Sequence, residues 1–220
     1  MDTYVLTAGT QSQNTIKSSY FETSLRRCGK INWIHHERNK LDNSRDICSE
    51  KDLREFMSWK FSCAQHTCST LPEDSTIVFS DIDIVWRSSA IRELCTFAKR
   101  GVYAMRKNNQ GCLSAALLVS QNTPAFQWLL YRCHNYLKHH SRCNSDDALK
   151  EVAKESVKRL PVYFANSNTQ MLTPISQVQC FKPIFGNAVE SKRSIEQKSQ
   201  MLRKWFDFTM PLTPAEYPPA

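Results

Sequence analysis

The stretch Ser75-Thr76-Ile77-Val78-Phe79-Ser80-Asp81-Ile82-Asp83-Ile84-Val85-Trp86 constrains this chain most, because a β-branched, apolar run ends abruptly on two carboxylates spaced i, i+2. In an extended backbone that spacing puts both on one side, where they can share one divalent cation. A run as apolar as Thr76 to Phe79 suits a strand buried on both faces, the habit of a parallel sheet covered by helices. Ligands of such sheets gather at the carboxyl ends of the strands, where Asp81 and Asp83 stand. Two carboxylates this close repel unless a cation or a proton sits between them, and a hard oxygen site at a strand end suits Mg or Mn holding a phosphate. Aspartates so placed can also form a turn or cap a helix. The second apolar run, Ile84 to Trp86, favours the metal-binding alternative.

Around this strand, helical and extended patterns alternate. Tyr4 to Thr7 predicts a short strand leading into Ala8-Gly9-Thr10, then a helix over Asn14 to Cys28 that Gly29 ends. A second strand follows at Ile31 to Ile34. Ser49 and Asp52 form a capping-box pattern ahead of Leu53, Phe56, Met57, Phe61 and Ala64, which fall at helical spacing. After the acid-tipped strand come a helix over Ser89 to Lys99 and strands at Val102 to Met105 and Leu113 to Val119. Thr123-Pro124 opens the clearest helix, with Phe126, Leu129, Leu130, Cys133 and Leu137 along one face. A helix over Asp146 to Lys154, strands at Pro161 to Tyr163 and Val178 to Phe181, and a basic helix over Glu190 to Trp205 complete the pattern. The fold class expected is α/β, Rossmann-like, one domain over residues 1–209 with a mostly parallel central sheet flanked by helices. Residues 210–220 carry four prolines and predict an irregular tail.

Composition narrows the class. With 41% apolar and 10% aromatic residues, 220 residues can bury one substantial core. No run of about 18 apolar residues predicts a membrane span, and the N-terminus lacks the basic-then-apolar order of a signal peptide. Nine cysteines without a framework fit reduced thiols in a cytosol-like compartment, which favours a bacterial or viral cytoplasmic protein. Cys63, His66 and Cys68 with His139, His140 and Cys143 would make a zinc site only if two distant halves met, and there is no CxxC pair. Neither a G-x-S-x-G nucleophile motif nor a P-loop is present. The net charge of +8 attracts anions without choosing among nucleotides, nucleic acid, acidic glycans and membrane.

Phe79 to Trp86 resembles the DxD strand of GT-A-fold glycosyltransferases, the nucleotide-diphospho-sugar transferases. Other pieces follow in that family's order. Thr7-Ala8-Gly9-Thr10 resembles the loop after the first strand, which holds the nucleotide, and Phe21 to Gly29 resembles the end of the first helix. Ser114 to Val119 with Asn122-Thr123-Pro124, and Asp146-Asp147-Ala148-Leu149, resemble the family's later strand and acidic segment. The resemblance implies a sugar-nucleotide donor, UDP-linked, retention of anomeric configuration, and Asp81 and Asp83 as ligands of Mn or Mg. It implies that Asp146 and Asp147 work near the donor sugar and that Thr7 to Thr10, Lys60, Asp81 and Lys182 contact the donor. Three departures stand out: Asp147 stands where that family usually has glutamine, no histidine follows His140 to complete a metal shell, and Ser114-Ala115 replaces an amide-bearing segment.

The residues themselves supply part of this chemistry. Neutralising a departing diphosphate is the task that a cation on Asp81 and Asp83 performs. Lys60 sits in the apolar stripe of its helix, so its amine must snorkel out or reach a cleft, and the cleft containing Asp81 is the expected target. Asp146 and Asp147 open a helix, where dipole stabilisation alone explains them. Lys182, followed by Lys192, Arg193 and Lys198, can close over a diphosphate or form a solvated basic helix. Two other classes remain: an aspartyl-phosphate phosphatase, whose DxD strand usually comes first, and a non-catalytic basic nucleic-acid-binding module. The acceptor, whether glycan, protein or modified nucleic acid, is not written in these residues.

Overall fold

The computed structural model describes residues 2–38, 50–106, 112–154, 156–161, 180–181 and 196–203. Their strands are β1 (Thr3–Thr10), β2 (Asn32–Arg38), β3 (Thr76–Ser80), β4 (Val85–Trp86), β5 (Val102–Arg106), β6 (Leu113–Gln121), β7 (Val157–Arg159) and β8 (Cys180–Phe181). The helices are α1 (Asn14–Ile16), α2 (Thr23–Arg26), α3 (Glu50–Thr70), α4 (Ala90–Ala98), α5 (Pro124–His139) and α6 (Ser145–Ala153), and residues 196–203 form another. A six-stranded sheet in the order β2-β1-β3-β6-β5-β7 is mixed, but only β6 runs against the other five strands. The expected mostly parallel α/β sheet is therefore present. No helix among the described residues is long and apolar enough to cross a membrane.

Alternation along the central strands makes three layers. Val5, Val78 and Val119 face one side, packed with Phe21, Leu25, Trp86, Ile91 and Leu94. Leu6, Ile77, Phe79 and Leu118 face the other, against Phe61, Phe126, Leu130 and Leu149 of α3, α5 and α6. Each fully buried side chain of this size stabilises the fold by about 1.5–3 kcal/mol before entropy is counted. Thr123 caps α5 by accepting from the Phe126 amide, and Pro124 follows at the first turn.

The connections set up the site. From β1 the chain crosses to β2 through a continuous helical run over residues 11–26, then returns through α3 on the opposite face to place β3 on the other side of β1. Strand order thus reverses beside β1, and such a switch point opens a crevice at the carboxyl ends of the strands. The helical run includes a π segment, Lys17–Glu22, between α1 and α2.

Three local expectations are corrected. Residues 8–10 are not a loop: β1 continues to Thr10, because β2 extends to Arg38 and pairs with it throughout, Thr10 opposite Arg38. The first helix ends at Arg26, ahead of the turn completed by Gly29 at φ +100°. A strand not expected from the sequence lies at Val157–Arg159, parallel to β5, while Pro161, the expected start of a strand, is outside any strand. Buried Val157 and Leu160 anchor it while Lys158 and Arg159 are exposed, the charge pattern of an edge strand. Ser49, Lys182, Lys192, Arg193, Val162, Tyr163 and the proline-rich tail at 210–220 lie outside the described residues.

Candidate active site

Asp81 follows directly on β3, and its amide still donates to Ala116 O at 2.8 Å, so β6 fixes its backbone. Its carboxylate Oδ1 accepts from Lys60 Nζ. Lys60 is 3% exposed, and its ammonium lies 4.7 Å from the centroid of the Phe79 ring, a cation–π contact with the strand that carries Asp81. The lysine expected in the core-facing stripe of α3 thus ends at the acidic strand terminus. Asp83, buried behind Ile82, pairs through Oδ2 with Lys198 Nζ at 3.2 Å. The repulsion anticipated between the two carboxylates is met in this molecule by two ammonium groups.

Asp146 reaches β6 from α6. β5 and β6 lose register between Ala104 and Met105, leaving Ala115 to Leu117 without partners on β5. Asp146 Oδ1 takes up the slack, accepting from Ala115 N at 2.8 Å and from Ser114 Oγ at 3.2 Å. Ala115 therefore holds Asp146 while Ala116 holds Asp81, which brings the two acids to adjacent residues of β6. Asp147 does something else. Its Oδ2 accepts from Asn144 N at 3.1 Å, and its amide donates to Asn144 Oδ1 at 3.0 Å, a capping box at the start of α6.

Across the switch point, Thr7, Ala8 and Gly9 are the buried last residues of β1, with Thr10 at the tip. Trp33 Nε1 donates to Thr7 Oγ1 at 2.9 Å, and Thr7 Oγ1 lies 2.9 Å from His35 Nδ1. Thr7 donates to Nδ1 in one ring tautomer and accepts from Nδ1–H in the other, and in both Nε2 is a buried atom with no hydrogen-bond partner. Burial, then the charge of Lys17, pulls the His35 pKa down to about 4, against an opposing effect of Glu37. Its ring is neutral at pH 7. Gly9 is needed for space: a Cβ there would stand 3.1 Å from Gln13 Oε1, 3.2 Å from His35 Cε1 and 3.4 Å from Ile82 Cδ1. The end of β1 thereby packs directly against the turn between Asp81 and Asp83.

Two hard carboxylates at a strand end have the donor chemistry of a Mg or Mn site. Among the described residues no three His, Cys, Asp or Glu side chains converge into a metal cluster. Trp33 and His35 escaped the sequence reading, although their i, i+2 spacing on one face of β2 was a usable signal. Lys198 was visible only as one of several late basic residues.

No protein-family profile matches the sequence, and no curated protein matches it. Solved structures do. The chain is similar to the glycosyltransferase GlyE of Streptococcus pneumoniae TIGR4 at 12% identity and TM-score 0.58, covering 94% of this chain and 64% of that one. It is similar to a glycosyltransferase involved in glycosylation of the major capsid of PBCV-1, at 8% identity and TM-score 0.63, covering 92% of this chain and 100% of that one. The galactosyltransferase LgtC, solved with donor and acceptor sugar analogs, aligns at 9% identity and TM-score 0.60, covering 96% and 98% of the two chains. The chain spans just under two thirds of GlyE and essentially the whole of the other two. With the sheet order, the switch point and the acid-tipped β3 in place, this chain has the fold of the GT-A glycosyltransferases.

Proposed function

We infer that this chain transfers a glycosyl group from a nucleotide-diphosphate sugar, a UDP-sugar, to an acceptor glycan, protein or modified nucleic acid, with retention of configuration. The observation that supports this reading is the acidic end of β3 beside β1, where Asp81 pairs with Lys60 and Asp83 with Lys198, with Asp146 held on the neighbouring strand β6. In this reading the nucleotide lies against residues 7–10, where His35 Nε2 is a buried polar atom without a hydrogen-bond partner. The diphosphate then lies over the acidic turn. A Mg or Mn ion bound by Asp81 and Asp83 would neutralise the charge that develops on the leaving diphosphate. Lys60, held in place by α3 and Phe79, adds a fixed positive charge beside that point, and preorganised charge of this kind favours the transition state over the ground state.

In this reading Asp146, held on β6 by Ala115 and Ser114, is the acid that works on the donor sugar, whereas Asp147 is committed to the capping box. The seven described cysteines are free thiols, in keeping with a reducing compartment. The reading is tested by incubating the protein with a panel of nucleotide sugars in Mn or Mg and following nucleoside diphosphate release and thermal stabilisation. UDP-sugars should give both, with the anomeric configuration of the product read by NMR. Stabilisation by phosphate mimics or by oligonucleotides, with none from any nucleotide sugar, would sink it.

A further inference from the structure

We propose that Lys198 is a resident cation at Asp83 that a divalent metal must displace, so that metal and ammonium compete for one carboxylate. The proposal rests on the nucleotide-sugar reading, because it concerns the same site. The Asp83 side chain is 6% exposed and that of Lys198 16%, with 3.2 Å between Nζ and Oδ2. A carboxylate this deeply buried is strongly destabilising without a positive partner, so a cation must stay beside it in every state of the protein.

The two lysines differ in their freedom to leave. Lys60 is 3% exposed, stands on the 21-residue helix α3 and holds its ammonium over the Phe79 ring. It is built into the core. Lys198 lies in the helical residues 196–203, where Leu202, one turn further on, is buried. Its side chain is the more exposed of the two. Charge then decides what happens when a metal arrives. A dication on Asp83 would stand beside the Lys198 ammonium at one carboxylate, and two like charges so close repel. Moving Lys198 away from Asp83 relieves that repulsion, and the anionic diphosphate adds negative charge beside the metal.

Metal and nucleotide should therefore bind cooperatively, each strengthening the other by the same factor. The released ammonium also becomes a charge-assisted donor for diphosphate oxygens. The lysine would thus partner Asp83 when the site is empty and turn to the donor when the site fills.

Calorimetric titration of Mn into the nucleotide-free protein, repeated with saturating UDP, tests this without any turnover. Lys198→Met should raise Mn affinity by about 10-fold without UDP, the effect of removing one competing charge-assisted contact. The same variant should shrink the factor by which UDP tightens Mn. Lys198→Arg, which holds a carboxylate at least as firmly, should show no gain. Should Lys198→Met fail to fold by circular dichroism, Lys198→Gln replaces it. Unchanged Mn affinity in the neutral variant overturns the competition and leaves the metal site standing. No Mn binding by any variant, with or without UDP, overturns both.

Discussion

Lys60 and Asp81 form an ion pair in which one partner is almost wholly buried and the other mostly so, at 3% and 19% side-chain exposure. Removing one member of such a pair leaves the other's desolvation uncompensated, whereas removing both need not. Lys60→Met should therefore lower stability by about 1–3 kcal/mol, and adding Asp81→Asn should restore part of the loss. Urea denaturation of the two single variants and the double variant measures that coupling; strictly additive losses would mean the pair contributes nothing as a pair. Lys60→Met should also slow transfer by at least ~10-fold, the scale of one charge-assisted contact. His35 predicts a pH effect. Its folded pKa of about 4 lies below the ordinary 6.5, so between those values the unfolded chain takes up a proton that the folded chain refuses. Stability should be fully present above about 6.5 and fall as pH drops toward 4. His36, also pulled down by burial, acts in the same direction. Melting temperature measured from pH 7 to 4.5 should decline less steeply in His35→Gln than in the parent, and parallel declines would remove His35 as a cause.

Among the elements, β6 carries the most consequence for the site, because its break with β5 hands the Ala115 amide to Asp146. Asparagine at 146 keeps an oxygen for that amide, while alanine leaves a buried donor without its acceptor. Asp146→Asn should thus stay within about 0.5 kcal/mol of the parent, and Asp146→Ala should lose about 1–2 kcal/mol. Both should be inactive if the carboxylate works on the donor sugar. Thermal melts beside nucleotide-release assays separate the roles: an active Asp146→Asn would leave this residue as a clasp for β6 alone. The break itself was not legible from the run Leu113 to Val119, since an apolar strand of small residues gives no sign of which partner it will drop. β7 escaped the sequence reading for a related reason. Lys158 and Arg159 suggest a loop until the strand is seen to lie on the sheet edge, where charge is the rule.

At the scale of the whole molecule, burial periodicity carried most of what could be foreseen. The apolar run into Asp81 and the stripe from Phe126 to Leu137 rest on short-range pattern, and both stand where that pattern put them. The pairing of Lys60 with Asp81 was foreseeable because a charge in an apolar stripe must find a partner. Lys198 on Asp83 and Trp33 and His35 on Thr7 join residues far apart in sequence, and only the strand order brings them together. Cysteine behaviour follows from the same layering. Cys28, Cys68 and Cys133 lie in or against the two cores, and burial pushes each thiol up to about 12, whereas Cys112 is exposed. Because the thiolate is the reactive form, these three should resist modification in the folded protein while Cys112 reacts first. Timed alkylation followed by peptide mapping reads that order, and denaturation without reductant should expose all nine thiols of the sequence. Early labelling of Cys133 would contradict the packing of α5 on the sheet; fewer than nine titratable thiols would reveal a disulfide and overturn the reducing compartment inferred from cysteine usage.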